Sequence, residues 1–242
     1  MKAGYLFISV ILCALISCNS KNKNANASVA ETEEQPVASV NLLGSFVGDF
    51  GDNKITLLIT SATKDSVAGR SVVGGNDRPF TGTLQRSTDA FTISAKEPGD
   101  DKNDGIFDFT INTKTPDEVK GNWKPNNPST HLVSKDYILR RRAFLYLQDV
   151  GNYPEGSKRL LTDEDVDNRS RVELETMRNE IFARHGYCFK KKSLRENFED
   201  KDWYIPNTVD VKKDLTDIEK KNIVLIKKYE KYADDFGDDF GR

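Results

Sequence analysis

Ser170-Arg-Val-Glu-Leu-Glu-Thr-Met-Arg-Asn-Glu-Ile-Phe-Ala-Arg-His-Gly-Tyr-Cys-Phe189 reads as a helix with both ends marked. Ser170 and Glu173 form an S-x-x-E capping box. The serine oxygen takes an amide proton of the first turn, and the glutamate reaches back to the cap amide. Gly186 supplies the left-handed residue that commonly ends a helix. The 14 residues Arg171 to Arg184 make about 21 Å of helix. Tyr187 then falls where it touches Phe182, the apolar contact that accompanies such endings. Glu180 precedes Arg184 by four, the favoured order for a helical ion pair.

At about 100° per residue, Leu174, Met177 and Ile181 share one face, Phe182 flanks it, and Arg178 and His185 fall on the same face. A charged side chain there must snorkel outward or be paired. A last helix is expected over Asp217–Tyr232, opened by Thr216 and Glu219. It sets Asn222 among Ile218, Leu225, Ile226, Tyr229 and Tyr232. We therefore expect Arg178, His185 and Asn222 to join one polar network where the two helices pack, closed by a carboxylate such as Glu219. Such a network must be fully satisfied to be tolerated. Two further starts are marked: Thr162 with acidic residues in its first turn, and Ser193/Glu196 opening a short helix with Leu194 and Phe198 inward.

Met177-Arg-Asn-Glu-Ile-Phe-Ala-Arg-His-Gly-Tyr187 resembles the signature of the YARHG domain family, with Phe182 where the family usually has tyrosine. Leu160-Leu-Thr-Asp-Glu-Asp165 before it, and Asp202-Trp-Tyr-Ile-Pro-Asn207 and Ile218-Glu-Lys-Lys-Asn222 after it, extend the likeness over residues 159–232. The resemblance implies a small α-helical module of bacterial envelope proteins and carries no established activity. Its motif residues and their polar neighbours here are Arg178, Asn179, Glu180, Arg184, His185, Gly186, Tyr187 and Asn222.

Ahead of this module, residues 42–142 read as all-β. Strand-like runs recur at Gly44–Phe50, Lys54–Thr60, Ser66–Val73, Pro79–Gln85, Ala90–Ser94, Gly105–Asn112, Glu118–Trp123 and Tyr137–Arg142. Turn chemistry such as Gly51-Asp-Asn53 and Gly74-Gly-Asn-Asp77 separates them, which predicts an antiparallel barrel-like or sandwich domain. The fold class is thus α+β. Residues 143–158 connect the halves, and residues 233–242 form an acidic tail.

The N-terminus reads as a lipoprotein signal peptide over residues 1–17. Lys2 gives the positive start, and Tyr5–Ile16 an apolar run too short for a comfortable span. Leu15-Ile-Ser-Cys18 resembles a bacterial lipobox, which implies acyl chains of the palmitate kind on Cys18. Two or more chains anchor stably where one is marginal. Asn19 after the cysteine resembles outer-membrane lipoproteins, facing the periplasm. Residues 18–41 form a lipidated tether whose polar composition cannot offset its ordering entropy. Of three cysteines, Cys13 leaves with the signal and Cys18 carries lipid, so Cys188 stays unpaired, with apolar neighbours that favour an inert buried thiol.

Composition bounds the function. With 36 basic against 38 acidic residues the net charge is −2, so no strong pull toward nucleic acid is expected. The sequence has no Gly-rich phosphate loop, G-x-S-x-G elbow, H-E-x-x-H pair or Cys-x-x-Cys. Asp100–Gly105 fails the calcium-loop pattern at Lys102 and Ile111. No metal, cofactor or catalytic residue is expected, and His185 reads as a helix-ending histidine donating to the last carbonyls. The favoured role is non-catalytic binding or structure in the envelope, with peptidoglycan or an envelope protein as partner. Lys190, Lys191, Lys192, Arg195 and Arg184 form a basic patch whose ordinary reading is a solvated charge run, and Trp203-Tyr204 an aromatic pair whose ordinary reading is packing against the central helix; the sharper reading makes them the candidate binding surface. Two rivals stand: a wall-modifying hydrolase using His185 and Cys188, which needs the pair in contact, and carriage of a small apolar ligand, which needs an open barrel.

Overall fold

The computed structural model describes residues 40–127 and 133–236. The signal peptide, Cys18, nearly all of the tether, His131 and the last six residues of the acidic tail lie outside the described residues. Eight strands come first: β1 Gly44–Phe50, β2 Asn53–Ala62, β3 Ser66–Val73, β4 Asn76–Arg86, β5 Ala90–Lys96, β6 Gly105–Asn112, β7 Glu118–Pro125 and β8 Lys135–Arg141. Each pairs antiparallel with its sequence neighbour, and β1 meets β8 through Phe46↔Arg141 and Val47↔Arg140. The sheet is therefore a closed barrel and not a sandwich. Closure removes both sheet edges.

Alternation fills the barrel. Along β6, Gly105, Phe107, Phe109 and Ile111 are buried while their neighbours are not, as the period of two requires. Phe46, Phe50, Phe80, Phe107, Phe109, Trp123 and Tyr137 join Ile55, Leu57 and Ile93 in one core. Eight strands enclose a space that side chains can fill, and these rings fill it. Gly69 is where the wall pinches: a Cβ there would lie 2.1 Å from the Leu58 carbonyl oxygen.

β1, β3 and β6 have the expected bounds, while β2 and β4 are longer. Gly74 and Gly75 both take positive φ, 59° and 81°, the pair that a two-residue hairpin turn demands. Val73 then pairs directly with Asn76. Asn76 and Asp77, expected in the turn, are strand residues for that reason.

The helices are α1 Glu155–Lys158, α2 Asp163–Val166, α3 Arg171–Arg184, α4 Lys192–Phe198 and α5 Asp217–Phe236. α3 has the expected ends. Ser170 Oγ accepts from Glu173 N, and Glu173 accepts from Ser170 N at 2.9 Å. Past the C-cap His185, Gly186 N donates to Ala183 O and Tyr187 N to Phe182 O, and the Tyr187 and Phe182 rings sit 6.1 Å apart, the full Schellman ending. The Ser193/Glu196 box does not form. α4 starts at Lys192 with Lys191 as its cap residue, so Ser193 is already inside the first turn. α5 runs on to Phe236, taking in four residues read as tail.

α3 packs on α5 through Leu174, Met177 and Ile181 against Ile223 and Ile226. A second cluster, Ala183, Phe189, Phe198 and Tyr204, lies beyond the C-terminal end of α3. Barrel and helices belong to one compact unit. They are joined by Lys54 N to Glu199 Oε2 (3.1 Å), Lys54 Nζ to Lys201 O (2.9 Å) and Arg195 Nε to Asn53 Oδ1 (2.8 Å).

Candidate functional site

The capping box of α5 builds the first centre. Glu219, third residue of that helix, accepts from Thr216 N at 2.9 Å and from Thr216 Oγ1 at 3.1 Å. The same oxygen, Oε2, receives His185 Nε2 at 2.8 Å. Oε1 receives Ser157 Oγ at 2.7 Å and Tyr146 OH at 3.0 Å. Burial alone would raise this carboxyl; hydrogen bonds from His185, Ser157 and Thr216 outweigh it and bring the pKa down to about 2. The Tyr146 ring lies over the His185 ring at 4.3 Å, nearly parallel.

Ser157 extends the cluster to Arg184, whose NH1 donates to Ser157 Oγ at 2.9 Å. Arg184 is enclosed. Its Nε donates to Val150 O, and its NH2 to Tyr153 O and to Glu180 Oε2, all at 2.7–2.9 Å. Glu180 also accepts Asn152 N at 2.6 Å and Tyr153 N at 2.7 Å. A continuous chain, Glu180–Arg184–Ser157–Glu219–His185, thus ties the connector to α3 and α5. Arg184 and Glu180 pair with each other, and Glu219 is met by four hydrogen-bonding residues, His185, Ser157, Tyr146 and Thr216, the condition for tolerating such buried groups.

The expected Arg178–His185–Asn222 network is not what forms. Arg178 Nε pairs with Glu230, 2.9 Å to Oε2 and 3.1 Å to Oε1. Asn222 serves the backbone only, accepting Leu161 N at 2.9 Å and donating to Gly156 O and Arg159 O. Asn179 donates to Glu175 O within its own helix. Arg178 precedes His185 by seven residues, about 10 Å along α3, so antiparallel α5 offers each a different acid. Among the three, His185 alone reaches Glu219. The residues sequence reasoning missed are Tyr146 and Ser157, which lie in a connector with no pattern to mark them. The Glu180/Arg184 spacing was a visible signal, but its burial was not.

The thiol and the imidazole are not partners. Cys188 Sγ accepts Gly75 N at 3.1 Å, across from the β3–β4 turn, and burial pushes the thiol up to about 11. Tyr204, included in the candidate binding surface but favoured by its apolar character to pack, is fully buried, and its OH donates to Tyr187 O at 2.8 Å. Trp203 packs edge-on against it.

The basic patch divides. Arg184 is buried and leaves it. Lys191 pairs with Glu175 at 2.8 Å and Lys192 with Glu196 at 3.3 Å. Lys190 and Arg195 instead line a polar cleft of about 530 Å³ at the barrel mouth, with Arg78, Lys102 and Lys135 from the barrel side. Lys135 Nζ lies 4.5 Å from the Phe50 ring centre and 5.6 Å from that of Trp123. Burial lowers its pKa, and among the described residues no carboxylate forms an ion pair with it. Arg78 is held by Asp104 at 2.7 Å. A second cleft of about 590 Å³ lies along α3 beside Phe182, Tyr187 and Lys191. A third, about 560 Å³, opens over His185 and Tyr146 between Phe144 and Asn207.

Residues 152–231 match the YARHG domain. The helical part of the chain is that domain, and the match begins seven residues ahead of the motif-based expectation, taking in Tyr153 and Ser157 of the buried cluster. No curated protein and no solved structure matches the chain.

Proposed function

We propose that the chain is an exported bacterial lipoprotein, lipid-anchored in the cell envelope, in which barrel and YARHG domain together form a non-catalytic binding unit. Localisation rests on the charged start, the short apolar run and the lipobox-like Leu15–Cys18. The observation that carries the binding reading is the cleft where the two modules meet. Its cations come from both sides, and Lys135 stands in it half-buried over the Phe50 and Trp123 rings, with the Asp52 charge acting on it but no carboxylate at ion-pair distance among the described residues. Unpaired charge held out of bulk water is costly unless something arrives to pair it. The favoured ligand is an anionic component of the cell wall, with an envelope protein as the other candidate partner.

The rival roles draw no support from the geometry. The imidazole of His185 is committed to Glu219 and the Cys188 thiol to a backbone amide. The barrel interior, where an apolar ligand would lie, is occupied by the protein's own rings.

The test is co-sedimentation of residues 19–242 with purified peptidoglycan sacculi across a salt series. Pelleting that weakens with salt supports a wall-binding module read by charge. Absence of pelleting at low salt removes the wall from the reading and turns to affinity capture from envelope extract.

A further inference from the structure

The barrel-mouth cleft also carries information about what it holds. Three asparagines line it, each with one end of its amide committed. Asn53 Oδ1 accepts Arg195 Nε at 2.8 Å. Asn76 Nδ2 donates to Val73 O and Gly74 O. Asn103 Nδ2 donates to Asp101 Oδ1 at 3.2 Å. The other ends, Asn53 Nδ2, Asn76 Oδ1 and Asn103 Oδ1, make no hydrogen bond among the described residues. Anchoring at one end limits how the half-buried Asn53 and Asn76 amides turn, while Asn103 sits in the exposed loop, so donor and acceptor ends are left for a ligand. Beside them stand Lys135, Lys190 and Arg195, none in an ion pair among the described residues; the one carboxylate on the wall, Asp101, faces Arg78 at 3.9 Å. The buried edges of Phe50 and Trp123 close the floor.

From this arrangement we infer that the cleft binds an acidic sugar unit of a glycan, its carboxylate set between Lys135 and Arg195 and its hydroxyls on the free amide ends of the asparagines. The inference rests on the binding reading above and names its ligand class. Cations account for the carboxylate. Amides that both donate and accept match hydroxyls, which do the same. A bare anion would use only the cations, and an apolar peptide side chain would find more polar than apolar wall.

Trp123 in the floor gives the readout. The chain has two tryptophans, so Trp203→Phe leaves Trp123 as the reporter, and trigalacturonic acid is the probe. A saturable change in its emission is expected, with none from the neutral trisaccharide maltotriose at equal concentration. Lys135→Met keeps the apolar stem over the rings and removes the charge; it and Arg195→Met should each weaken binding about tenfold or more. Lys135→Arg should stay within about threefold, which separates lost charge from lost fold. Lys192→Met, outside the cleft, should change nothing.

The inference is overturned by equal binding of maltotriose, by Lys135→Met binding as wild type with an unchanged melting temperature, or by no saturable signal up to about 10 mM probe. Citrate competing as well as the trisaccharide would also overturn it, leaving only charge attraction. Failure here is distinct from failure at the wall. Trigalacturonate binding without sacculus pelleting upholds the cleft and rejects the wall as its source. Pelleting that survives Lys135→Met and Arg195→Met rejects the cleft and leaves the wall.

Discussion

His185 Nε2 and Glu219 Oε2 lie 2.8 Å apart across the seam between α3 and α5, the one joining the C-cap of its helix and the other the capping box of its own. Two helix ends therefore share a single carboxylate, so neither end can be altered without the other responding.

Glu219→Ala should be the most damaging change at this seam. It strips the partner from His185, Ser157, Tyr146 and Thr216 together. Removing one side of a buried pair costs about 3–5 kcal/mol. His185→Gln keeps an N–H donor near Glu219 and should cost about 1 kcal/mol. Urea melts of both variants check the order. Equal losses would mean that the carboxylate does not act as the hub.

Acid should weaken the fold through the same group. The Glu219 pKa in the folded chain is about 2 against an ordinary 4.5. Its contribution is complete above about pH 4.5 and is lost as pH falls toward 2. Glu97 and Glu199, raised by burial, act in the opposite direction, so the comparison must be with Glu219→Gln. Between pH 5 and 2.5 the stability difference between wild type and Glu219→Gln should shrink. A constant difference would contradict it.

Arg184→Lys should fail as a conservative replacement. The guanidinium reaches Val150, Tyr153, Ser157 and Glu180 in one plane, and an ammonium on a shorter fork cannot reproduce that set. We expect a loss of about 2–4 kcal/mol with the barrel intact, seen as a lowered helical transition in thermal circular dichroism.

The Cys188 thiol should be inert toward a thiol reagent in the folded protein at neutral pH. It is buried against Gly75, with its pKa pushed up to about 11 by burial, and the reactive species is the thiolate. Its labelling rate should follow the urea unfolding curve. Rapid labelling without urea would place the seam between barrel and helices open in solution.

The strands were legible because their signals are local; their closure into a barrel and not a sandwich was not, since the β1–β8 pair joins the two ends of the domain. Alternation along Gly105–Asn112 sets the inward face, and glycines such as Gly51 and the Gly74-Gly75 pair set the turns. α3 was legible for the same reason: Ser170, Glu173 and Gly186 mark its ends within the helix itself. The polar centre was only half legible. That His185 and Glu219 meet follows from two amphipathic faces. That Arg184 is enclosed does not, because its partners are backbone carbonyls of a connector that periodicity cannot place. Arg178 looked equivalent to His185 on the helical wheel, but the wheel discards the axial distance that gives it Glu230 instead. The cleft was invisible, since residues as far apart as Asn53 and Arg195 line it.

The meander gives the barrel two unlike rims. β1 enters at Gly44, beside the end of β8 at Arg141, whose NH1 donates to Leu43 O at 2.6 Å. The turns at Gly51–Asp52 and Gly74–Gly75, where the cleft opens, sit on the other rim. One strand of seven residues separates them, roughly 20 Å. Val40 to Leu43 therefore lead into the barrel at the pole remote from its cationic mouth. A load applied at Gly44 would therefore bear first on the β1–β8 seam and not on the turns that frame the mouth.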